Sequence, residues 1–214
     1  MDTIQFRRVL PHVFAGREDT GSEIWLREVN LQRGKRYLVD AQSGTGKSSM
    51  CSYIFGYRVD YSGTIAFDDV DTRQLSVARW CDIRRRHIAY LPQEMRLFPE
   101  LTVLENINLK NRLTNHKTAS QIADLLQCLG VEDKANSLVA HLSIGQQQRV
   151  AFVRTLCQPA EFFLLDEPVS HLDNENNSLI ARLVSQEADA LGAAIIVTSV
   201  GNHLNLNYDL TLKM

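Results

Sequence analysis

Nine consecutive residues, Ala41-Gln42-Ser43-Gly44-Thr45-Gly46-Lys47-Ser48-Ser49, combine the residue types that hold a phosphate group. Gly44 and Gly46 let the backbone curl until successive N–H groups converge on an anion, and the helix-competent run that follows adds its positive end. Lys47 is spaced to reach terminal phosphates, and the Ser48 hydroxyl can ligate a magnesium ion. The stretch fits GxxxxGK[ST] except that Ala41 stands at the first glycine position, where alanine is comfortable only at negative φ.

A second group of residues supplies what phosphoryl transfer needs besides a cradle. Phe162-Phe163-Leu164-Leu165-Asp166-Glu167-Pro168 reads as an apolar strand that delivers two carboxylates to the C-terminal edge of a parallel sheet. Asp166 is placed to hold magnesium through water, and Glu167 to polarise an attacking water. Alone, Asp-Glu-Pro would be a capped turn; joined to the phosphate loop it completes a site.

The elements that must position these groups can be read from periodicity. Thr3 to Val9, Ile24 to Leu31 and Arg36 to Asp40 are strands, followed by the glycine-rich turn and a helix from Lys47 to Phe55. Thr64 to Phe67 and Ile88 to Leu91 are short β candidates, and the basic run Arg84 to His87 before the second reads as a solvated face. From Val103 to Gln158 the pattern is helical, with Ile122, Leu125, Leu126 and Leu129 on one face and Gly130 as terminator, which suggests an inserted helical lobe. Phe162 to Leu165 and Ala194 to Thr198 are continuously apolar, as in a buried parallel sheet, and bracket a helix from Asn174 to Ala190. The fold class is therefore α/β with a mostly parallel core.

Composition narrows the function classes. In 214 residues, 23 basic side chains nearly offset 25 acidic ones, so no electrostatic footprint for a nucleic-acid backbone is present and direct nucleic-acid binding is not expected. Cys51, Cys81, Cys128 and Cys157 stand far apart, which argues against a zinc site or a disulfide framework and fits a reducing compartment. No run approaches the roughly 20 apolar residues of a bilayer span, and the N-terminus lacks a signal-peptide core. Any membrane role is expected to come through a partner.

Leu142-Ser143-Ile144-Gly145-Gln146-Gln147-Gln148-Arg149-Val150 resembles the LSGGQ signature and QRV tail of the ABC ATPases, and Ser143 is also a sound N-cap for a helix running to Cys157. Tyr90-Leu91-Pro92-Gln93 resembles the Q-loop, Ser170-His171-Leu172-Asp173 is similar to the D-loop, and Phe14 sits where the family places an aromatic that stacks on adenine. The resemblance covers nearly the whole chain. It implies one P-loop NTPase domain over residues 1–214, with an N-terminal antiparallel β region and a helical lobe at about 100–158. It also implies ATP and Mg2+ as ligands. Gln42, Ser43, Gly44, Thr45, Gly46, Lys47, Ser48 and Ser49 would bind nucleotide, Ser48, Gln93 and Asp166 the metal, and Glu167, Lys47 and Gln93 would act in catalysis.

The same resemblance implies a head-to-tail pair, homo- or heteromeric, in which Ser143, Gly145 and Gln146 close over the ATP of the second nucleotide-binding subunit. A separate membrane-spanning subunit would dock in a groove near Gln93 and Leu97 to Leu104, placing the chain in the cytoplasm on the inner face of the membrane. The stretch from Gln93 to Asn106 is similar to short exporter and lipoprotein-release ATPases. Three positions depart from the pattern: Ala41, Ile144, and Ser199, which stands where a catalytic switch histidine should follow Val197-Thr198. A hydroxyl is shorter and carries no imidazole, so slow hydrolysis is expected unless His203 reaches back. The alternatives are an ATP-dependent regulatory clamp with little turnover, and a soluble ABC protein acting on ribosomes or DNA.

Overall fold

The structure, a computed structural model, describes residues 1–17 and 20–214. Alternation in the first strand, β1 (Thr3–Pro11), puts Ile4 and Phe6 inward. It pairs antiparallel with β2 (Glu28–Gln32) on one side and β4 (Tyr61–Phe67) on the other, and β5 (Val70–Asp71) closes the second edge. β2 starts later than the apolar run beginning at Ile24 suggests. The Ser22 hydroxyl accepts the N–H groups of Ile24 and Trp25 at 3.0 and 3.1 Å, and Leu26 has φ +61°, so this stretch turns before it extends. β4 starts earlier than expected because Gly63, at φ +79°, lets the chain pass the Arg8 carbonyl where a Cβ would lie at 2.4 Å.

The second sheet is parallel throughout, in the order β6 (Ile88–Leu91), β7 (Phe162–Asp166), β8 (Ala194–Ser199), β3 (Arg36–Asp40) and β9 (Leu210–Lys213). Both faces of this sheet are covered, which is why its strands read as unbroken apolar runs. Phe162, Leu164 and Ile196 point toward α1 (Lys47–Ile54) and the antiparallel sheet. Phe163, Leu165, Ile195 and Val197 point toward a second core. That core is filled by α3 (Val103–Asn111), α4 (Ala119–Cys128), α5 (Ile144–Leu156) and α6 (Asn174–Leu191). Thr102, Thr118 and Ser143 each close a capping box with the residue three places on, so the helix starts are set locally.

One expectation is corrected. The run Arg84 to His87 belongs to α2 (Val77–Arg86) and its C-cap, a helix whose charged sequence hides its periodicity, and only Arg85 and Arg86 are solvated. Arg84 donates to the carbonyls of Phe55 and Gly56 at 3.1 and 2.8 Å and lies over the rings of Phe55, Tyr57 and Trp80. His87 pairs through Nδ1 with Glu161 at 2.5 Å. Planar guanidinium stacking on aromatic faces fixes α2 against the end of α1.

Asn106, fully buried on α3, holds the loop that leads from β6 into the helices. Its Oδ1 accepts from the Phe98 N–H at 2.8 Å, while Nδ2 donates to the carbonyls of Phe98 and Thr102 at 3.0 Å each. Truncation strands several of these groups, so Asn106→Ala is expected to lower stability by about 2 kcal/mol or more. A shift of the denaturant midpoint measures it; an unchanged midpoint would mean that the loop holds itself.

Candidate functional site

Parallel register makes the site. Asp40 pairs with Ser199 and Asp166 with Thr198, so the C-terminal ends of β3, β8 and β7 lie level and their loops converge. The phosphate loop leaves β3 under restraint. Ala41 N–H donates to Ser199 O at 3.0 Å and Gln42 N–H to Met214 O at 3.3 Å. Ala41 is buried and is not among the residues with positive φ, so the alanine fits without strain. Gly44 and Gly46 do take the left-handed conformation, at φ +82° and +100°. A Cβ on Gly46 would press on the Phe14 ring at 3.1 Å and the Trp25 indole at 3.2 Å. Trp25 donates its Nε1–H to Thr45 O at 2.9 Å, anchoring the loop from below.

Lys47, the first residue of α1, is only 8% exposed. Its ammonium lies 2.5 Å from Glu167 Oε1 and 3.7 Å from Asp166 Oδ1. Asp166 is 2% exposed and also accepts the Thr198 hydroxyl at 2.5 Å. Glu167 has φ +50°, an uncommon conformation for a residue with a Cβ, and its N–H donates to Thr198 O at 3.0 Å. Opposite charges thus meet where little water remains, which such a site tolerates only when each charge has a partner.

A cavity of about 360 Å3 opens over this cluster, a size that suits a small-molecule ligand. Of the residues singled out above it brings together Phe14, Ser43, Gly44, Gly46, Lys47, Ser48, Ser49, Gln93 and Glu167. Thr45 lines a neighbouring cavity of about 220 Å3, and Gln42 a shallow one of about 540 Å3 beside Asp40. Phe14 is 8% exposed in a 3-10 turn, with the Arg17 guanidinium 4.9 Å from its ring centroid.

Ser143, Gly145 and Gln146 are not part of that lining; they form the start of α5, where Ser143 and Gln146 cap each other. Ile144 beside them is 55% exposed. Ser199 is also outside the lining: it is 1% exposed and its hydroxyl donates to Asn202 O. His203 does not turn to the cavity either, its Nε2 lying 4.0 Å from Asp40.

The oxygen donors of Ser48, Gln93 and Asp166 are of the kind a hard divalent cation takes alongside water and phosphate oxygens. Among the described residues no cluster of three or more His, Cys, Asp or Glu side chains could cage a metal. The chemistry of the Ser48, Gln93 and Asp166 oxygens fits a magnesium ion that takes its remaining ligands from elsewhere.

Sequence reasoning overlooked Trp25, the Thr198 hydroxyl and Gln148, all of which brace the site. Their roles depend on contacts across 20, 32 and 19 positions of sequence, and no local pattern signals such contacts.

With this geometry in place, the comparisons with known proteins identify the class. The sequence model of the family described as ABC transporter matches residues 27–170, and the chain belongs to that family. It is an α/β ATP-binding subunit of the ABC transporter type, an ATPase. The lipoprotein-releasing system ATP-binding protein LolD of Shewanella denitrificans is 30% identical over 194 residues, 88% of this chain and 83% of the relative. The ABC transporter ATP-binding protein YtrE of Bacillus subtilis is 29% identical over 177 residues, 80% and 77% of the two chains. Among solved structures, the dimeric bacterial ABC transporter cassette MJ0796 superposes with TM-score 0.75 at 28% identity, covering 92% of this chain and 87% of that one. The same cassette in a dimeric post-hydrolysis state bound to ADP and Pi gives TM-score 0.74 at 27% identity, covering 93% and 88%.

If Lys47 contributes charge to bound phosphates, Lys47→Ala weakens ATP binding by about one to two powers of ten, the equivalent of a lost charged hydrogen bond. It also lowers the melting temperature of the nucleotide-free chain, because Asp166 and Glu167 lose their counter-ion. Fluorescent-nucleotide titration and calorimetry read the two effects; unchanged affinity would remove Lys47 from the phosphate site.

Proposed function

We propose that two nucleotide-binding subunits, either two copies of this chain or this chain and a relative, pack head to tail with ATP and Mg2+ between them, and that closing and hydrolysis drive a separate membrane-spanning subunit. The observation that carries this reading is the separation within one chain: the start of α5, with Ser143 and Gly145, lies outside the cavity that the chain's own Lys47 and Glu167 line. A nucleotide gripped by both needs a second subunit. That the similar cassette MJ0796 was solved as a dimer supports it.

Within the site, Lys47 and the N–H groups of the Gly44–Gly46 turn receive the phosphates. Ser48, Gln93 and Asp166 hold the magnesium ion, whose chemistry is to neutralise charge on the phosphate oxygens. Phe14 covers one face of adenine once Arg17 swings away. Lys47 contacts the Glu167 carboxylate; phosphates that draw the lysine to themselves would free that carboxylate to orient water.

The membrane partner fits a groove of about 330 Å3 lined by Tyr57, Tyr90, Pro92, Phe98 and Leu109 with Arg96, Lys110 and Arg154. Of the expected stretch Leu97 to Leu104, Phe98 alone contributes to that lining. Among the described residues no helix is long and apolar enough to cross a membrane. A docked membrane-spanning partner would hold the chain on the cytoplasmic face. The domain reading is part of the same proposal: residues 1–214 act as one ABC cassette whose lobe, about 100–158, carries the signature to the second subunit. The likeness to LolD favours a lipoprotein-release or exporter type.

Glu167→Gln separates binding from chemistry. It is expected to keep ATP and to elute as a dimer in gel filtration with ATP and magnesium, where the unaltered chain dimerises only transiently. A strictly monomeric Glu167→Gln protein at high concentration, with any second nucleotide-binding subunit present, would overturn the sandwich.

A second reading, a clamp that turns over slowly, is favoured by the inward-facing Ser199 hydroxyl. One missing transition-state donor costs about 3 kcal/mol, or two to three powers of ten in rate. Ser199→His is therefore expected to raise basal hydrolysis by at least several-fold with little change in ATP affinity. Brisk hydrolysis that Ser199→His leaves unchanged would show that another group fills the role.

A further inference from the structure

Three consecutive glutamines follow the signature, and they do different work. Gln146 closes the capping box with Ser143, and Gln147 donates to the carbonyls of Leu142 and Val139 at 3.1 and 3.3 Å. Gln148 is the inward one, 3% exposed, and its single amide is used at both ends. Its Nε2 donates to Glu167 O at 3.2 Å and approaches Ser170 Oγ at 3.4 Å. Its Oε1 accepts the His171 N–H at 3.2 Å. The network fixes the amide's orientation, since the reverse would set oxygen against the Glu167 carbonyl.

Glu167 needs such a brace. At φ +50° it is the one non-glycine residue of positive φ in the cavity lining, and a side chain there persists only where its surroundings over-determine it. Thr198 O takes its N–H and Gln148 takes its C=O, so both peptide planes flanking the carboxylate are held from opposite sides. The same two elements also approach closely at Gly145, where an added Cβ would lie 3.4 Å from His171 O and 3.8 Å from the Leu172 side chain. The start of α5 therefore lies close against the 167–172 turn and is bonded to it through Gln148. Gln148 lies about 7.5 Å along the helix from Ser143, close enough for α5 to move as a rigid rod between the two.

We propose that Gln148 is a positioning residue for hydrolysis: it holds the Glu167 backbone in register with the signature helix, so that seating α5 on the nucleotide of the second subunit sets the Glu167 carboxylate in its own. The proposal rests on the reading of Glu167 as the residue that orients water. It adds a route within one subunit from the signature to that residue, and it predicts an effect on rate rather than on nucleotide binding. Misplacing an orienting carboxylate by a fraction of an ångström slows chemistry while leaving phosphates and adenine held by the Lys47 loop.

The test is a double-mutant cycle on the full chain with ATP and magnesium, read as single-turnover hydrolysis and as ATP affinity. Gln148→Met keeps the side-chain length and removes both ends of the amide. Gln148→Glu keeps the acceptor for His171 N–H but cannot donate to Glu167 O. Both are expected to lower the rate about tenfold with ATP affinity within about twofold, and Gln148→Met is expected to change the residual rate of Glu167→Gln by less than about twofold. A full rate in Gln148→Glu would place the brace at His171 alone and overturn the proposal. So would an equal loss in the Glu167→Gln background, or a parallel loss of ATP affinity, because either describes general damage to the fold. If Gln148→Met fails to fold, Gln148→Glu carries the same cycle. Full hydrolysis by Glu167→Gln itself would instead remove the reading of Glu167 on which the proposal rests.

Discussion

A lysine and two carboxylates meet at the end of a buried parallel sheet, and the rest of the structure follows from keeping that meeting in place. Lys47 is 8% exposed and Asp166 2%, so neither charge can rely on water. Such a cluster is tolerable only if its members are held at contact, and contact is set by strand register. Because Asp166 lies beside Thr198 and Asp40 beside Ser199, the helix that starts with Lys47 is delivered to the carboxylates by the sheet itself. A slip of one residue in either pairing would exchange the faces of β7 or β8 and bury the charges against α1 or α6.

The two cores explain why that register is secure. Successive residues of β7 alternate between them, Phe162 and Leu164 on one side, Phe163 and Leu165 on the other. Each large side chain so buried contributes about 1.5–3 kcal/mol, far more than the ion pairs at the strand end supply. The apolar faces stabilise, and the charges specify what the site can do. The cluster is also self-compensating, with the Lys47 ammonium on the Glu167 carboxylate.

What was legible in the sequence is what depends on neighbours in the chain. The glycine-lysine loop, the apolar strand ending in Asp166-Glu167 and the N-cap at Ser143 all act within a few residues, and each is where the local pattern puts it. The failures are contacts made across the fold. Arg84 reads as part of a solvated basic run until the backs of Phe55 and Gly56 come up against it. Trp25 reads as strand from its apolar neighbours, but the Ser22 hydroxyl turns the chain there before it extends. In the run Gln146 to Gln148 nothing in the sequence distinguishes the amides that close the start of α5 from the one that faces Glu167; the phase of α5 against β7 decides it.

The three departures from the family pattern differ in physical weight for the same reason. At Ala41 the demand falls on the backbone, whose N–H goes to Ser199 O, and a methyl group at negative φ interferes with nothing. Ile144 leaves its own fold untouched, being 55% exposed at the start of α5, so its consequence lies wholly in what approaches that helix end. Ser199 is constrained twice, its carbonyl holding the phosphate loop and its hydroxyl turned back to Asn202. The residue is thus tied to the loop that follows β3 through its backbone carbonyl, whatever its side chain.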